Sequence, residues 1–157
     1  MYKRILVPLD GSKRAERILP HVEDLAAKEA ATVILLYVVD PGLVPFTPGM
    51  SMGMAPAPQE LELYWQSLQE AEQDADKYLQ AQAARLAKHK IKTENLVRRG
   101  DPVNAIVSAS EEENVDLIAM SSHGRTGLER VFYGSVTSGV LHKVDRPLLL
   151  IRAQKEE

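Results

Sequence analysis

Seven consecutive residues, Val33 to Val39 (VILLYVV), leave an extended strand no polar face. Side chains of a strand point alternately to its two sides, so this run has to be covered twice. Parallel sheets wrapped by helices supply that double cover, whereas a sheet wetted on one face calls for polar alternation. Arg4 to Asp10 (RILVPLD) is a second such strand, ended by a polar turn at Asp10-Gly11-Ser12. Asp116 to Met120 and Pro147 to Ile151 (PLLLI) read as strands four and five, and Thr93 to Arg99 as a weaker third.

Helical periodicity fills the spaces between them. Ala15, Ile18, Val22, Leu25 and Ala26 recur at three- and four-residue steps, with Pro20 inside the pattern predicted to kink or weaken its first turns. Leu61, Leu68, Ala71, Ala75, Leu79, Ala83 and Leu86 stripe a helix from about Gln59 to Lys90. Asp101 caps and Pro102 opens the next helix, whose buried side is Val103, Ile106 and Val107. Ser135 to Val144 forms the last, with Val136, Val140, Leu141 and Val144 inward. The alternation predicts an α/β fold: one open five-stranded parallel sheet with helices on both faces and right-handed crossovers.

At 157 residues, residues 1–157 are expected to form a single domain. Nineteen basic against 22 acidic residues give a net charge of −3, which suggests no nucleic-acid surface. Cysteine is absent, which excludes disulfides, zinc thiolates and thiol nucleophiles. The opening MYKRILVPLDGS is too short and broken for a signal peptide, and a membrane span needs about 20 apolar residues. A soluble, cytoplasmic protein with no membrane partner is expected. The stretch at about 41–58 is rich in proline and glycine and presents Met50, Met52 and Met54. It reads as a flexible loop that presents its methionines to a partner or is simply disordered, with a Cu(I) thioether site as the minority reading.

In such sheets a ligand settles beyond the carboxyl ends of the strands, where strand order reverses. Two loops suit that crevice, Asp10-Gly11-Ser12 and the glycine-rich MSSHGRTGLERVFYGSVT at 120–137, which puts the reversal between strands one and four. Gly134-Ser135 directly precedes a helix, where free amides and the positive end of the dipole attract anions. The hydroxyls of Ser135 and Thr137 add donors, and Arg125 and Arg130 add charge. The competing readings are that the glycines only punctuate turns, that Asp10 or Ser135 only caps a helix, and that Arg125 and Arg130 are solvated surface. No lysine follows Gly134 as a Walker loop requires, and only Gly11 follows the first strand where a dinucleotide fingerprint wants three glycines. His123 has no partner spacing for a triad, and His21, His89 and His142 are too scattered for a metal site.

The segments ILVPLDGS, VILLYVVD, GDPVNAI and VDLIAMSSHGRTGLERVFYGSVTSGVLHKVDRPLLLIR together resemble the universal stress proteins of the UspA family over nearly the whole chain. The family's nucleotide-binding members carry Gly-x2-Gly-x9-Gly-Ser/Thr. Here Gly124 takes the second position, Arg125 to Tyr133 the spacer and Gly134-Ser135 the end, while Ser121 stands in place of the first glycine. The resemblance implies strand order 3-2-1-4-5, a Rossmann-like fold akin to the adenine nucleotide alpha hydrolases. It also implies ATP (or AMP or ADP), with Mg2+ or Mn2+, across strands one and four. Pro8 and Asp10 would border the adenosine, and the Val38 backbone would meet the adenine edge. Met120 and Ser121 would line the floor, and Gly124, Gly134, Ser135, Val136 and Thr137 would hold the phosphates beside Arg125. A homodimer through strand five (Pro147 to Ile151) is implied as well, which would cover an apolar edge. No nucleophile elbow or well-placed general base is present, so a dedicated enzyme is not expected and slow ATP hydrolysis is left open. Ser121 favours a second function for the same fold, a dimeric interaction module that binds no nucleotide.

Overall fold

The computed structural model describes residues 1–43, 53, 55–123 and 134–153. Five strands, β1 (Arg4–Leu9), β2 (Thr32–Val39), β3 (Lys92–Arg99), β4 (Leu117–His123) and β5 (Leu148–Ala153), form one sheet. Its order is β3-β2-β1-β4-β5, and every neighbouring pair is parallel. Among the described residues five helices lie between them: α1 (Lys13–Glu16), α2 (Leu19–Glu29), α3 (Pro58–Ala87), α4 (Pro102–Glu112) and α5 (Ser135–Lys143). A short 3-10 turn, Pro41–Leu43, follows β2.

The double cover inferred from VILLYVV is present. Ile5, Val7 and Leu9 of β1, with Val33 and Leu35 of β2, pack on one side among Ile18, Leu19, Val22, Leu79 and Leu86. Leu6, Ile34 and Leu36 pack on the other side among Ile106, Ala109 and Val140. The period-two split of each strand thus assigns α1, α2 and α3 to one face and α4 and α5 to the opposite one.

Most boundaries differ from the sequence reading by a residue or more, and three elements show why. The first helix is two helices, not one kinked helix. Ser12 caps the start of α1 by accepting from the Ala15 amide at 3.1 Å, and α2 restarts at Leu19 with Pro20 in its first turn, where a missing N–H costs nothing. α3 begins one residue before Gln59 and stops at Ala87, and the turn after it holds Lys90 at φ 60°. β4 starts after Asp116, whose carboxylate accepts from the Lys3 amide at 2.8 Å, and runs past Met120 to His123. Its polar end pairs in register with β5, Ser121 opposite Ile151 and Ser122 opposite Arg152, because ladder hydrogen bonds do not need apolar side chains.

α3 is longer than the sheet it covers. Thirty residues make roughly 45 Å of helix against roughly 26 Å for an eight-residue strand. Its first turns pass beyond the carboxyl ends of the strands. Tyr64 donates to the Pro41 carbonyl at 3.3 Å, and Trp65, half exposed, lies 5.8 Å from the guanidinium carbon of Arg99 at the end of β3. The methionines of the proline-rich loop, and Gly124, Arg125, Gly127 and Arg130, fall outside the described residues. Among the described residues no helix is long and apolar enough to cross a membrane.

Candidate functional site

β1 keeps step with β2 from Arg4 to Leu9, but its registered pairs with β4 are only Ile5–Leu117 and Leu6–Ile118. The two strands part toward their carboxyl ends, and β1 is also where the chain order reverses. Between them lies a cleft of about 440 Å³. Sheets of this topology open a crevice at that place because the helices that follow the two strands leave on opposite faces.

Each element contributes a different chemistry to the cleft. Pro8 and Asp10 come from the end of β1, Val38 from β2, Met120 and Ser121 from β4, and Gly134, Ser135, Val136 and Thr137 from the start of α5. The sequence reading grouped these nine positions, and the fold brings them to one cavity. Gly124 and Arg125, grouped with them, lie outside the described residues. Leu36, Pro102 and Ile106 add apolar wall beneath, and Met120 is nearly covered.

Asp10 is exposed and is not the cap of α1, a role that Ser12 fills. Its Oδ1 accepts from the Ser12 amide at 2.9 Å, while Oδ2 has no partner among the described residues. That leaves a charged acceptor available at the mouth. Tyr37 donates its hydroxyl to the Asp10 carbonyl at 3.3 Å. Burial first, and the Asp10 charge second, push the Tyr37 phenol above its ordinary range, so it stays a protonated donor at neutral pH.

At the far end, α5 begins without a side-chain cap. Gly134 is its N-cap at φ −57° and ψ 158°, and among the described residues no side-chain oxygen satisfies the first amides. α4, whose first turn also lines the cleft, differs: Asp101 accepts from the Asn104 amide at 2.9 Å. The dipole of a nine-residue helix with open first-turn donors therefore faces the cavity through α5. Gly134 does not need the left-handed region at all. Its backbone angles suit any residue, so its contribution there is the lack of a side chain.

Sequence reasoning missed Arg14, Tyr37 and Asp40, which also line the cleft. Arg14 sits among three similar cations, Lys13, Arg14 and Arg17, and nothing in their spacing marks it. Tyr37 reads only as one more apolar strand position. Asp40 directly follows VILLYVV, and its carboxylate shapes the next turn by accepting from the Gly42 amide at 2.9 Å.

The model of the universal stress protein family matches residues 1–152. Universal stress protein MJ0531 of Methanocaldococcus jannaschii is 36% identical over 157 residues, covering 100% of this chain and 86% of that protein. MJ0577 of the same organism is 33% identical over 155 residues, 97% of this chain and 96% of its own. The solved structure of MJ0577 superposes with a TM-score of 0.73 at 33% identity, covering 99% of both chains. Two more distant structures share the fold: a universal stress protein in complex with cAMP (18% identity, TM-score 0.58, 98% of each chain) and one from Archaeoglobus fulgidus in complex with dAMP (20%, 0.60, 95% and 97%). This chain belongs to the universal stress protein family.

Proposed function

We propose that this member of the family binds an adenine nucleotide, ATP, in the cleft between β1 and β4, and that the bound nucleotide biases its conformation or choice of partner. The observation that carries the reading is the start of α5, uncapped among the described residues, at one end of a cavity that also has an apolar wall of Leu36, Val38 and Ile106. An adenine ring suits the apolar side near Val38 and Leu36, with the Val38 backbone at its edge. Asp10, with one oxygen unengaged among the described residues, suits a ribose hydroxyl. The Gly134, Ser135, Val136 and Thr137 segment suits phosphate oxygens, through main-chain amides and two hydroxyls. The complexes of distant relatives with cAMP and dAMP support an adenine nucleotide as the ligand class.

A divalent cation would be carried mainly on the phosphates. Among the described residues no three His, Asp or Glu side chains converge on a metal position. Mg2+ ordinarily binds in this way, keeping waters and using substrate oxygens rather than a cage of protein ligands. The chain's own residues would hold, orient and partly dry the nucleotide.

Titration calorimetry with ATP and Mg2+ tests the reading. Saturable binding is expected, and absence of heat at millimolar nucleotide would defeat it. Nucleotide released from denatured, freshly purified protein, read at 260 nm, gives a second measure.

A second feature, the β5 edge, favours self-association independently of nucleotide. Leu148, Leu149, Leu150 and Ile151 are half-buried on a strand with one open side. Two copies joined through β5 would cover that edge.

A further inference from the structure

We propose that Arg14 is a specificity-determining residue of the cleft, held in place by the hydrogen bond of Ser121 to α1, and that it selects nucleotides with a free polyphosphate chain over adenosine and cyclic monophosphates. The inference rests on the cleft being a nucleotide site and adds which nucleotides it favours.

Three described charged side chains line the cleft, Asp10, Asp40 and Arg14. Two carboxylates facing an incoming polyphosphate would repel it, and among the described residues Arg14 alone offsets them. Its guanidinium is exposed and makes no hydrogen bond or ion pair among the described residues. Neighbouring and distant cations are committed elsewhere. Lys13 pairs with Glu16 at 3.0 Å, Arg85 with Glu23 at 2.9 Å, Arg98 with Glu112 at 2.8 Å and Arg99 with Glu72 at 2.8 Å. Arg14 is left with a planar fork of donors at a cavity wall, a geometry that matches phosphate oxygens.

Its position along the cleft follows from what α1 touches. α1 packs against β4, and the Ser121 hydroxyl donates to the Ala15 carbonyl at 3.3 Å. The same residue, Ala15, donates its amide to Ser12 Oγ at 3.1 Å. This single turn is thus fastened on both sides, one residue after Arg14. β4 leads toward α5, whereas Val38 lies across β1 on β2. Arg14 therefore stands on the side away from Val38, where the phosphates of a nucleotide with its base at Val38 would run. Ser121 occupies the place where the family's nucleotide-binding motif has its first glycine, and a glycine has no hydroxyl with which to hold Ala15. The replacement exchanges a bare backbone for an anchored cation.

Calorimetric titration of wild type, Arg14→Ala, Arg14→Lys and Ser121→Gly with Mg-ATP, AMP, cAMP and adenosine, at low and high salt, tests this. Arg14→Ala should weaken ATP about tenfold while changing adenosine less than about twofold, and ATP affinity should lose part of its salt dependence. Arg14→Lys should recover part of the loss, since it restores the charge but not the fork. Ser121→Gly should lower the ATP preference in the same direction and speed hydrogen exchange at the α1 amides. If wild type binds ATP and Arg14→Ala keeps the wild-type ratio of ATP to adenosine affinity, or loses both ligands equally, the assignment is overturned. If wild type binds no nucleotide, the reading of the cleft fails first and the assignment goes with it.

Discussion

Gly134 opens α5 with nothing but hydrogen on its α-carbon, and its φ of −57° allows any residue to take its place without strain. An aspartate there would close the helix well by accepting from the first-turn amides, worth a few tenths of a kcal/mol over glycine. It would also consume the donors proposed for phosphate and set a negative charge against it. Gly134→Asp is therefore expected to keep or raise the melting temperature while abolishing ATP binding. Calorimetry and thermal melting on one preparation check both, and unchanged ATP affinity would remove α5 from the site. Tyr78 makes a different single-residue case. Its phenol donates to Glu16 Oε1 at 3.2 Å, and burial, then the charge and hydrogen bond of Glu16, raise its pKa well above the ordinary value. The folded state holds this proton more tightly than the unfolded chain. The resulting stability is complete below about pH 10, where an unfolded tyrosine titrates, and is lost as pH rises toward the folded value. Tyr78→Phe should flatten the fall of melting temperature above about pH 10, relative to wild type, in pH-dependent melts. Asp10, Gly134 and Ser135 were legible in the sequence because turn and helix-start chemistry is local. Arg14 was not, because its distinction from Lys13 is which cation finds Glu16, a fact of three-dimensional placement.

At the level of elements, α2 shows how a boundary is decided by two residues. Pro20 restarts the helix, and Ala30 ends it in the left-handed region at φ 51°, with its amide donating to the Ala26 carbonyl. A residue with a β-carbon is strained there by about 1–2 kcal/mol relative to the right-handed region, part of which glycine gives back as unfolded-chain entropy. Ala30 is exposed, so replacing it disturbs no packing. Ala30→Gly should stabilise the protein by about 0.5–1 kcal/mol, a rise of about 1–4 °C in melting temperature by calorimetry. The hydrophobic strands were readable because a run such as VILLYVV has few other homes. The polar end of β4 was not, since Ser121 and Ser122 are held by main-chain pairing to β5 and carry no strand signature of their own. The parting of β1 from β4 was equally hidden, because register is a relation between segments and not a property of either.

For the whole molecule, the strand order leaves β3 and β5 as the two edges, and α3 packs against β3 while β5 keeps its row of aliphatic side chains half-buried. We expect two copies to join at β5. Sedimentation velocity across a dilution series checks it, with a dimer that dissociates on dilution as the expected result and a monomer at every concentration as the contrary one. Nucleotide should leave this equilibrium largely unchanged if the cleft and the β5 edge act separately. The overhang of α3 has an optical consequence. Trp65 is the chain's single tryptophan and stands on that overhang, half exposed, beside Tyr64 and Arg99 and apart from the residues that line the cleft. Indole emission is therefore a private channel for one end of one helix. A change in it on adding nucleotide would mean that an event in the crevice had travelled along the carboxyl ends of the strands to the start of α3.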